Sequence, residues 1–311
     1  MKSILEAKDL KGKKVLVRVD WNEPSDHGQI RDDYRVKTSL PTIEYLKNAG
    51  AKVIVATHFE PKDTSIESSL HGYVPFGVEM LENLRNDSGE TDNSEAFAKK
   101  LAGFADIYIN EAFSVSHREH ASIVGVPRLI PAYAGFRFTK EVEELSKAFN
   151  PPHPFLLILG GAKSDTKLPL VERFLGIADD IFIGGAMAKT ASGMPFAKNS
   201  KIIFPIGDIA ALDANKETLS LLEEKIKNSE FILWNGPLGN YEKGFKEGTL
   251  ELAKFLANSN KQVVVGGGDT LAVIKELNIF DKFSFVSTGG GAMLDFLATG
   301  TLPGIEALST S

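Results

Sequence analysis

Several apolar, strand-like runs in the second half of the chain end in turns that contain glycine. The turns comprise residues 160–163, 184–186, 235–237, 266–270 and 289–291. Glycine lets backbone N–H groups approach an anion, and a following helix directs the positive end of its dipole at the same charge. One such turn is better explained as a tight strand-to-helix connection. Several at one sheet edge favour a phosphate or nucleotide site.

Two lysines at the first turn, residues 160–163, indicate that the bound anion would be a phosphoryl group in transfer. Lys163 ends that turn, and Lys167 follows one helical turn later on roughly the same face. Two ammonium groups there would neutralise charge on a phosphoryl group in transfer. None of the turns has the Walker A sequence, and no GxGxxG follows the first strand, so a conventional dinucleotide site is disfavoured.

Acidic residues after two of the turns suit a nucleotide that carries a metal ion. Asp269 and Thr270 follow three glycines and suit a helix N-cap. Asp269 equally suits contact with Mg²⁺ on ATP, because Mg²⁺ is usually held by one or two carboxylates plus phosphate oxygens. Glu242 is placed to accept hydrogen bonds from a ribose, although an exposed surface role fits it as well.

The first half of the chain has polar and cationic groups at the ends of three predicted strands. Asp20 and Asn22 end the first strand, Arg35 lies in the loop beyond, His58 ends the second strand and Arg118 follows the third. Arginine binds carboxylate or phosphate through paired hydrogen bonds, so the cluster predicts a pocket for a small anion. A lone histidine at a strand end is more often structural, and the prediction rests on the cluster.

Short runs rich in β-branched residues alternate with helical segments and must position these groups. The predicted strands are residues 14–21, 52–57, 106–110, 155–159, 180–183, 201–205, 231–234, 262–265 and 283–286. The predicted helices are residues 38–48, 94–102, 140–149, 216–227, 248–257 and 270–277. This alternation is typical of parallel sheets covered on both faces by helices. We predict an α/β protein of two doubly wound, Rossmann-like parallel-sheet domains joined by a hinge.

Prolines mark the expected division between the domains. Residues 150–154 read NPPHP, which cannot continue the preceding helix and stiffens the connection. We interpret this segment as a hinge between domains of residues 1–150 and 151–290. An ordinary helix-to-strand loop explains it nearly as well.

Composition excludes several classes of protein. At 311 residues, the chain exceeds what one hydrophobic core usually serves. The net charge of −6 argues against nucleic-acid binding, which requires a basic surface. The sequence has no cysteine, so disulfides and thiolate metal sites are excluded. No apolar run reaches the roughly 20 residues of a membrane-spanning helix, and no signal peptide is recognisable, so we expect a cytoplasmic enzyme without membrane partners.

A set of motifs in a fixed order, spanning nearly the whole chain, resembles the phosphoglycerate kinase family. The motifs are VLVRVDWNEP at 15–24, RDDYR at 31–35, ENLR at 82–85, HREHAS at 117–122, LGGAK at 159–163, WNGP at 234–237, GGGDT at 266–270 and STGGGA at 287–292. The resemblance implies reversible phosphoryl transfer between 1,3-bisphosphoglycerate and ADP, giving 3-phosphoglycerate and ATP in glycolysis and gluconeogenesis. It also implies Mg²⁺ bound with the nucleotide, and a monomer.

The resemblance assigns roles to individual residues. The N-terminal domain is expected to bind the glycerate and the C-terminal domain the nucleotide, with residues 291–311 packing back on the N-terminal domain. The implied catalytic residues are Arg35 and Lys163. The implied glycerate-binding residues are Asp20, Asn22, Arg35, His58 and Arg118. The implied nucleotide-binding residues are Gly161, Lys163, Lys167, Gly185, Asn235, Pro237, Glu242, Gly267, Gly268, Asp269 and Thr270, with Asp269 on the metal.

The chain departs from the family in length and in two cationic positions. Contractions are implied within residues 58–82, 190–208 and 212–231, and the last two regions normally help to enclose the adenine. A family arginine is replaced by Glu60 or absent, with Lys62 as partial compensation, and a second family arginine aligns with His153. Each lost contact is expected to weaken glycerate binding by about one to two orders of magnitude.

Two alternative functions remain open at this point. The departures favour a silent nucleotide-binding or scaffold protein derived from the kinase, whereas the lysine pair and the Gly-Asp-Thr turn oppose it. The altered anion pocket also suits a kinase for another small carboxylate. We predict a working kinase with weakened glycerate binding and poorer nucleotide selectivity.

Overall fold

The structure is a computed structural model that describes residues 1–23, 25–27, 29–30, 32–60, 64–162 and 164–309. The chain divides into two compact units. The first unit comprises Met1–Val142 and the chain from Thr301 onward, and the second unit comprises Glu143–Gly300. The compact units divide after Val142 and after Gly300. The division of function between domains of residues 1–150 and 151–290 stays a prediction.

In the described part of the first unit, a parallel five-stranded sheet forms with the order β5-β4-β1-β6-β7. The strands of this unit are β1 (Lys14–Arg18), β2 (Ser25–Asp26), β3 (Gln29–Ile30), β4 (Lys52–Ala56), β5 (Glu79–Met80), β6 (Ile107–Asn110) and β7 (Ala132–Ala134). Strands β2 and β3 form a separate short antiparallel pair. The central strand β1 is buried over Val15–Arg18, as expected for an apolar strand covered on both faces.

Helices surround this sheet, and two of them begin earlier than the sequence predicts. They are α1 (Tyr34–Asn48), α2 (Thr64–His71), α3 (Ser88–Thr91), α4 (Glu95–Ala102) and α5 (Phe136–Ser146). The carboxylate of Glu23 accepts the Arg35 N–H at 2.7 Å in the first turn of α1. The carboxylate of Glu111 accepts the Arg137 and Phe138 N–H groups at 3.0 and 3.2 Å in the first turn of α5. These remote glutamates satisfy N–H groups that a helix leaves unpaired at its start.

In the described part of the second unit, a parallel six-stranded sheet forms with the order β10-β9-β8-β11-β12-β13. Its strands are β8 (Phe155–Leu159), β9 (Asp180–Ile183), β10 (Ile202–Ile203), β11 (Phe231–Asn235), β12 (Gln262–Gly266) and β13 (Phe285–Ser287). Its helices are α6 (Ser164–Phe174), α7 (Met187–Ser192), α8 (Lys216–Asn228), α9 (Glu247–Ala257), α10 (Gly268–Leu277) and α11 (Gly291–Thr299). The central strands β8 and β11 are buried throughout, which explains why their sequences are continuous apolar runs.

The chain ends in helix α12 (Pro303–Ser309), which belongs to the first unit. The Gly304 N–H donates to the Ser116 carbonyl at 2.9 Å. A Cβ atom on Gly304 would lie 2.6 Å from the Cβ of the buried Ser116. None of the helices in the described part of the chain has the length and apolar character required to span a bilayer. The predicted fold class of two α/β units with parallel sheets is confirmed.

Replacement of Gly304 by alanine tests how α12 packs in the first unit. We expect Gly304→Ala to lower the free energy of unfolding by about 1–3 kcal/mol, because the added methyl group overpacks against Ser116. Urea unfolding monitored by circular dichroism measures the change. Gly103→Ala is the matched control, since its nearest contacts would be ordinary ones at 3.4 Å. Equal stability of the two variants would contradict the close packing.

Candidate functional site

Asp20 and Arg35 form an ion pair at the carboxyl end of the first sheet. Asp20 follows β1, and its Oδ2 accepts hydrogen bonds from Arg35 Nη1 at 2.9 Å and from the Ser114 hydroxyl. Burial raises the pKa of Asp20, but the charge of Arg35 and the hydrogen bond from Ser114 outweigh burial, so the pKa lies below its ordinary value. The charged carboxylate fixes the Arg35 guanidinium, whose side chain stays 29% exposed.

Further hydrogen bonds hold both the side chain and the backbone of Arg35. Its Nη1 also donates to the Asn22 carbonyl at 3.2 Å. Glu23 accepts the Arg35 N–H, as described above, and the Val36 N–H at 3.3 Å. Burial raises the pKa of Glu23 to about 7. The first turn of α1 therefore holds Arg35 with its charge at the sheet edge, where an anion can reach it.

His58 lies beside a buried arginine, Arg18, which is not among the predicted site residues. Arg18 ends β1 and is 1% exposed. Its Nη2 lies 3.1 Å from His58 Nδ1. Because arginine can donate but cannot accept, Nδ1 is the acceptor and the ring proton resides on Nε2. Burial, helped by the charge of Arg18, lowers the pKa of His58 to about 3, so the imidazole is neutral near pH 7.

A buried network of hydrogen bonds holds the Arg18 guanidinium. Arg18 Nε donates to Ser122 Oγ at 3.0 Å, and Ser122 Oγ donates to Glu90 at 2.6 Å. The Ser122 N–H also donates to Glu90 at 2.9 Å, and the Tyr108 hydroxyl donates to the Ser122 carbonyl at 2.7 Å. Glu90 is fully buried and its charge balances that of Arg18. An arginine at the end of an apolar strand was a usable sequence signal, whereas nothing local marked Glu90.

The other predicted substrate residues lie in loops at the same end of the sheet. Asn22 Oδ1 accepts the Glu60 N–H at 2.9 Å, which ties the loop after β1 to the loop after β4. Arg118 is exposed in the loop after β6. Its charge contributes to lowering the pKa of both His58 and His120. The predicted residues Asp20, Asn22, Arg35, His58 and Arg118 thus share one basic sheet edge.

The glycine turns of the second unit interlock through backbone hydrogen bonds. The Gly160 N–H donates to the Asn235 carbonyl at 2.9 Å, and the Gly161 N–H donates to the Pro237 carbonyl at 2.8 Å. The Gly236 N–H donates to the buried Thr270 hydroxyl at 2.9 Å. A Cβ on Gly160 would lie 2.2 Å from the Pro237 oxygen, so no larger residue fits at this crossing. The predicted turns at residues 160–162, 235–237 and 266–270 form one structure.

Lys167 braces these turns from inside the second unit. Its side chain is buried, and its Nζ lies 2.6 Å from the Gly160 carbonyl and 3.4 Å from the Asn235 carbonyl. The predicted phosphate contact of Lys167 stays a prediction. Lys163, the predicted catalytic lysine, lies outside the described residues.

Asp269 lies in the first turn of α10, directly after the Gly267 turn. Gly267 has a φ of +105°, a backbone conformation that favours glycine. Gly268 and Asp269 are exposed at the start of α10, where the helix dipole is positive. The Asn235 side chain lies close to the Gly267 turn. A Cβ atom on Gly267 would be 3.3 Å from Asn235 Nδ2.

A cavity of about 200 Å³ lies beside the Gly185 turn. It is lined by Gly185, Ala186, Lys189, Ile209, Ala210, Ala211, Leu212, Gly239 and Asn240. Glu242 follows in a short 3₁₀ helix, Tyr241–Lys243, and is exposed. Residues 209–212 form one wall of this cavity. In the sequence they connect the regions 190–208 and 212–231, where contractions were predicted. His153, which aligns with a family arginine, contacts Asp179 Oδ2 at 2.6 Å through Nδ1.

The protonation state of His58 is directly measurable. We expect its ring to stay neutral, with the proton on Nε2, from pH 8 down to pH 5, because its pKa is lowered to about 3. An unfolded histidine binds a proton below a pKa of about 6.5, so this burial reduces stability as pH falls below that value. Nitrogen-15 NMR of histidine-labelled protein, with His58→Gln for assignment, measures the tautomer and the titration. Protonation of His58 near pH 6.5 would contradict the arrangement.

The phosphoglycerate kinase family model matches the chain in three overlapping segments, residues 5–76, 63–199 and 194–300. A phosphoglycerate kinase of Desulfosudis oleivorans is 37% identical over 391 aligned residues that cover 99% of this chain and 98% of the relative. One of Roseiflexus castenholzii is 35% identical, with 97% of each chain covered. These alignments are longer than the 311-residue chain, so the relatives contain segments that this chain lacks. Successive matched segments overlap at residues 63–76 and 194–199, and these overlaps lie within the contractions predicted at 58–82 and 190–208.

Solved structures agree with the sequence relatives. The phosphoglycerate kinase of Pyrococcus horikoshii superposes with a TM-score of 0.87 at 29% identity, covering 99% of this chain and 98% of that one. The phosphoglycerate kinase of Coxiella burnetii superposes with a TM-score of 0.83 at 29% identity and the same coverage. A family match over nearly all of the sequence, relatives above 30% identity and the shared fold of both units lead to one conclusion. The chain belongs to the phosphoglycerate kinase family.

Proposed function

We propose that this chain catalyses reversible phosphoryl transfer between 1,3-bisphosphoglycerate and ADP, giving 3-phosphoglycerate and ATP. The observation that carries the proposal is the Asp20–Arg35 pair, which holds a charged guanidinium at a basic sheet edge in a chain that aligns with its relatives over nearly all of its residues. A silent scaffold would not require an arginine fixed by a buried carboxylate. The kinase is therefore the better supported function, and phosphoglycerate is favoured over a different carboxylate because the relatives and the similar solved structures are phosphoglycerate kinases.

The chemistry requires positioned charge and no acid or base. A β-phosphate oxygen of ADP attacks the phosphorus of the acyl phosphate, and the bond from phosphorus to the carboxylate oxygen breaks. The electron pair leaves with the glycerate carboxylate, so no proton is transferred and no covalent enzyme intermediate forms. Arg35 then stabilises negative charge on the equatorial phosphoryl oxygens. The neutral His58, with its proton on Nε2, suits a hydrogen-bond donor to the substrate.

The glycerate is proposed to bind Asp20, Asn22, Arg35, His58 and Arg118 in the first unit. Arginines bind oxyanions through paired, charge-assisted hydrogen bonds. Asn22 Oδ1 already accepts from the Glu60 backbone, which leaves its amide donors to face a ligand. Of the two cations expected from the resemblance, one is absent or replaced by Glu60 and the other aligns with His153, so we propose that glycerate binding is weakened.

The nucleotide is proposed to bind the glycine turns of the second unit. Positive-φ glycines at positions 161, 185, 236 and 267 let backbone groups approach phosphate closely. Lys163 is proposed to follow the transferring phosphoryl group. Lys167 supports the turns that form this surface. The cavity beside Gly185 and Ala186 suits the base, and Glu242, two residues beyond Asn240, suits the ribose hydroxyls.

Magnesium is proposed to accompany the nucleotide. Among the described residues no group of three or more potential metal-ligating side chains occurs, so an all-protein metal cage is not indicated. The exposed carboxylate of Asp269 at the start of α10 fits a Mg²⁺ ion that takes its other ligands from phosphate and water. The bound ion would neutralise phosphate charge. The expectations of a monomer, of a cytoplasmic location and of a hinge near residues 150–154 stay predictions.

Removal of the Arg35 guanidinium tests the proposed transfer. We expect Arg35→Ala to lower kcat by about 100-fold or more, because charge on the transferring group loses a fixed donor. A coupled assay that follows ATP formation from 1,3-bisphosphoglycerate and ADP measures this loss. ADP affinity serves as the internal control and should not change, because Arg35 belongs to the other unit. Full activity of the variant, or no activity of the natural sequence, would refute the proposal.

Asp269 tests the metal contact. We expect Asp269→Asn to raise the Mg²⁺ concentration needed for half-maximal activity and to weaken calorimetric binding of MgADP more than that of metal-free ADP. The reason is the loss of an anionic oxygen ligand from the site. Asp281→Asn is the matched control, because Asp281 is an exposed aspartate of the same unit outside the proposed site. Equal Mg²⁺ dependence in both variants would rule out the contact.

A further inference from the structure

Glu23 is a buried carboxylate that contacts both the backbone and the side chain of Arg35. Its side chain is 3% exposed. Its Oε1 accepts the Arg35 N–H at 2.7 Å and the Val36 N–H at 3.3 Å. Its Oε2 lies 4.0 Å from Arg35 Nε, which belongs to the guanidinium. One carboxylate therefore contacts the start of α1 through one oxygen and the charged group of Arg35 through the other.

The start of α1 depends on carboxylates outside the helix. Asp33, the residue before the helix, makes no capping hydrogen bond with its side chain. Asp32 Oδ1 accepts the Tyr34 N–H at 3.0 Å, and Glu23 accepts the next two N–H groups. A carboxylate is a strong acceptor at a helix start, where the N–H groups lack partners and the dipole is positive. The backbone from which the Arg35 side chain extends is therefore held by Glu23.

The two carboxylates beside the Arg35 guanidinium differ in their protonation. Asp20 has a pKa below its ordinary value and is charged at neutral pH. Burial raises the pKa of Glu23 to about 7, although the charge of Arg35 and the hydrogen bond from its N–H act in the other direction. Among the described residues, the charged and titratable groups that face Glu23 are Arg35, Asp20, Asp32 and Tyr73. Arg35 therefore has one constant charged partner and one whose charge varies near neutral pH.

A second glutamate of the first unit shows that capping alone does not indicate a functional role. Glu111 is also buried, accepts two N–H groups at the start of α5, and has a pKa that burial raises to about 7. Its Oε1 accepts the Thr42 hydroxyl as well. The Oε2 of Glu23 lies instead beside the guanidinium of Arg35. This contact distinguishes Glu23 from an otherwise similar helix cap.

We propose that Glu23 is a positioning residue for phosphoryl transfer, which together with Asp20 fixes the direction of the Arg35 guanidinium. The inference rests on the proposed function, because it takes Arg35 as the group that stabilises the transferring phosphoryl group. Glu23 acts through Arg35. With Glu23 ionised, the guanidinium has two charged partners, and with Glu23 protonated it has one. Small displacements of a positioned group reduce the rate of transfer strongly.

Glu23→Gln is the first test, because glutamine keeps an acceptor for the helix start and removes the charge. We expect kcat for ATP formation at pH 8 to fall about five- to tenfold, because Arg35 loses one of its two charged partners. The calorimetric dissociation constant for 3-phosphoglycerate should not rise, since a negative charge beside the proposed anion pocket is lost. An unchanged kcat, or weaker glycerate binding together with a lower kcat, overturns the inference.

The pH profile of kcat separates the charge of Glu23 from its role as a cap. We expect kcat of the natural sequence to fall between pH 8 and pH 6, because Glu23 binds a proton in this range. In Glu23→Gln, only the titration of the substrate phosphates, with a pKa of about 6, should remain. Glu111→Gln is the matched control and should keep the natural profile, since Glu111 titrates in the same range away from Arg35. The same change of profile in both variants contradicts the inference.

A double variant tests whether Glu23 acts through Arg35. In the Arg35→Ala background, Glu23→Gln should leave kcat unchanged within about twofold, because the group that it positions is absent. Glu23→Asp keeps a carboxylate on a shorter side chain, and we expect it to recover part of the natural kcat at pH 8. A loss from Glu23→Gln that persists in full without the Arg35 guanidinium refutes the inference.

Nitrogen-15 NMR of the Arg35 side chain separates this inference from the proposed function. We expect the order parameter of the Arg35 Nε–H to be higher at pH 8 than at pH 6 in the natural sequence, and to stay low at both pH values in Glu23→Gln. Arg35→Lys assigns the signal. This result supports the positioning of Arg35 even if the natural sequence forms no ATP, in which case the proposed reaction fails alone. Equal order parameters in both proteins at both pH values refute the role of Glu23, whether or not ATP forms.

Discussion

The buried guanidinium of Arg18 organises the functional end of the first unit. A charge in the interior is strongly destabilising unless it is paired and hydrogen-bonded. Arg18 meets this requirement through Ser122 and the buried Glu90 on one side and the His58 ring on the other. The same contacts connect strand β1 to the segment around residue 122 and to the loop after β4. The neutral state and tautomer of His58 follow from them.

The two proposed anion sites are built by different physical means. The first unit uses side chains: arginines and histidines gather at one sheet edge, and buried carboxylates fix them and balance their charge. The second unit uses the backbone, with glycine turns that pack so closely that a Cβ at Gly160 or Gly236 would overlap neighbouring oxygens. A side-chain site is easily changed by substitution, as Glu60 illustrates. A backbone site tolerates few substitutions, because the turns support one another.

Much of the fold could be read from periodicity and composition. Strands β8 and β9 were predicted with their observed bounds, and β4, β6, β11 and β12 to within a residue, because short apolar runs rich in β-branched residues leave few alternatives. The starts of α1 and α5 were predicted too late. Their caps come from Glu23 and Glu111, which are distant in sequence from the N–H groups they satisfy. The short strand β5 has no counterpart among the predicted strands, since two residues are too few for a pattern to show.

The sequence by itself determined the family, the α/β architecture and which residues gather at the carboxyl ends of the strands, because these follow from ordered motifs and from the geometry of parallel sheets. Tertiary structure alone decided which charges meet. Lys167 faces the Gly160 and Asn235 carbonyls, Arg18 holds His58, and Arg85 pairs with Glu60. Most of these pairings join residues well separated in the chain, and burial sets their protonation and strength. Spacing along the sequence records neither quantity.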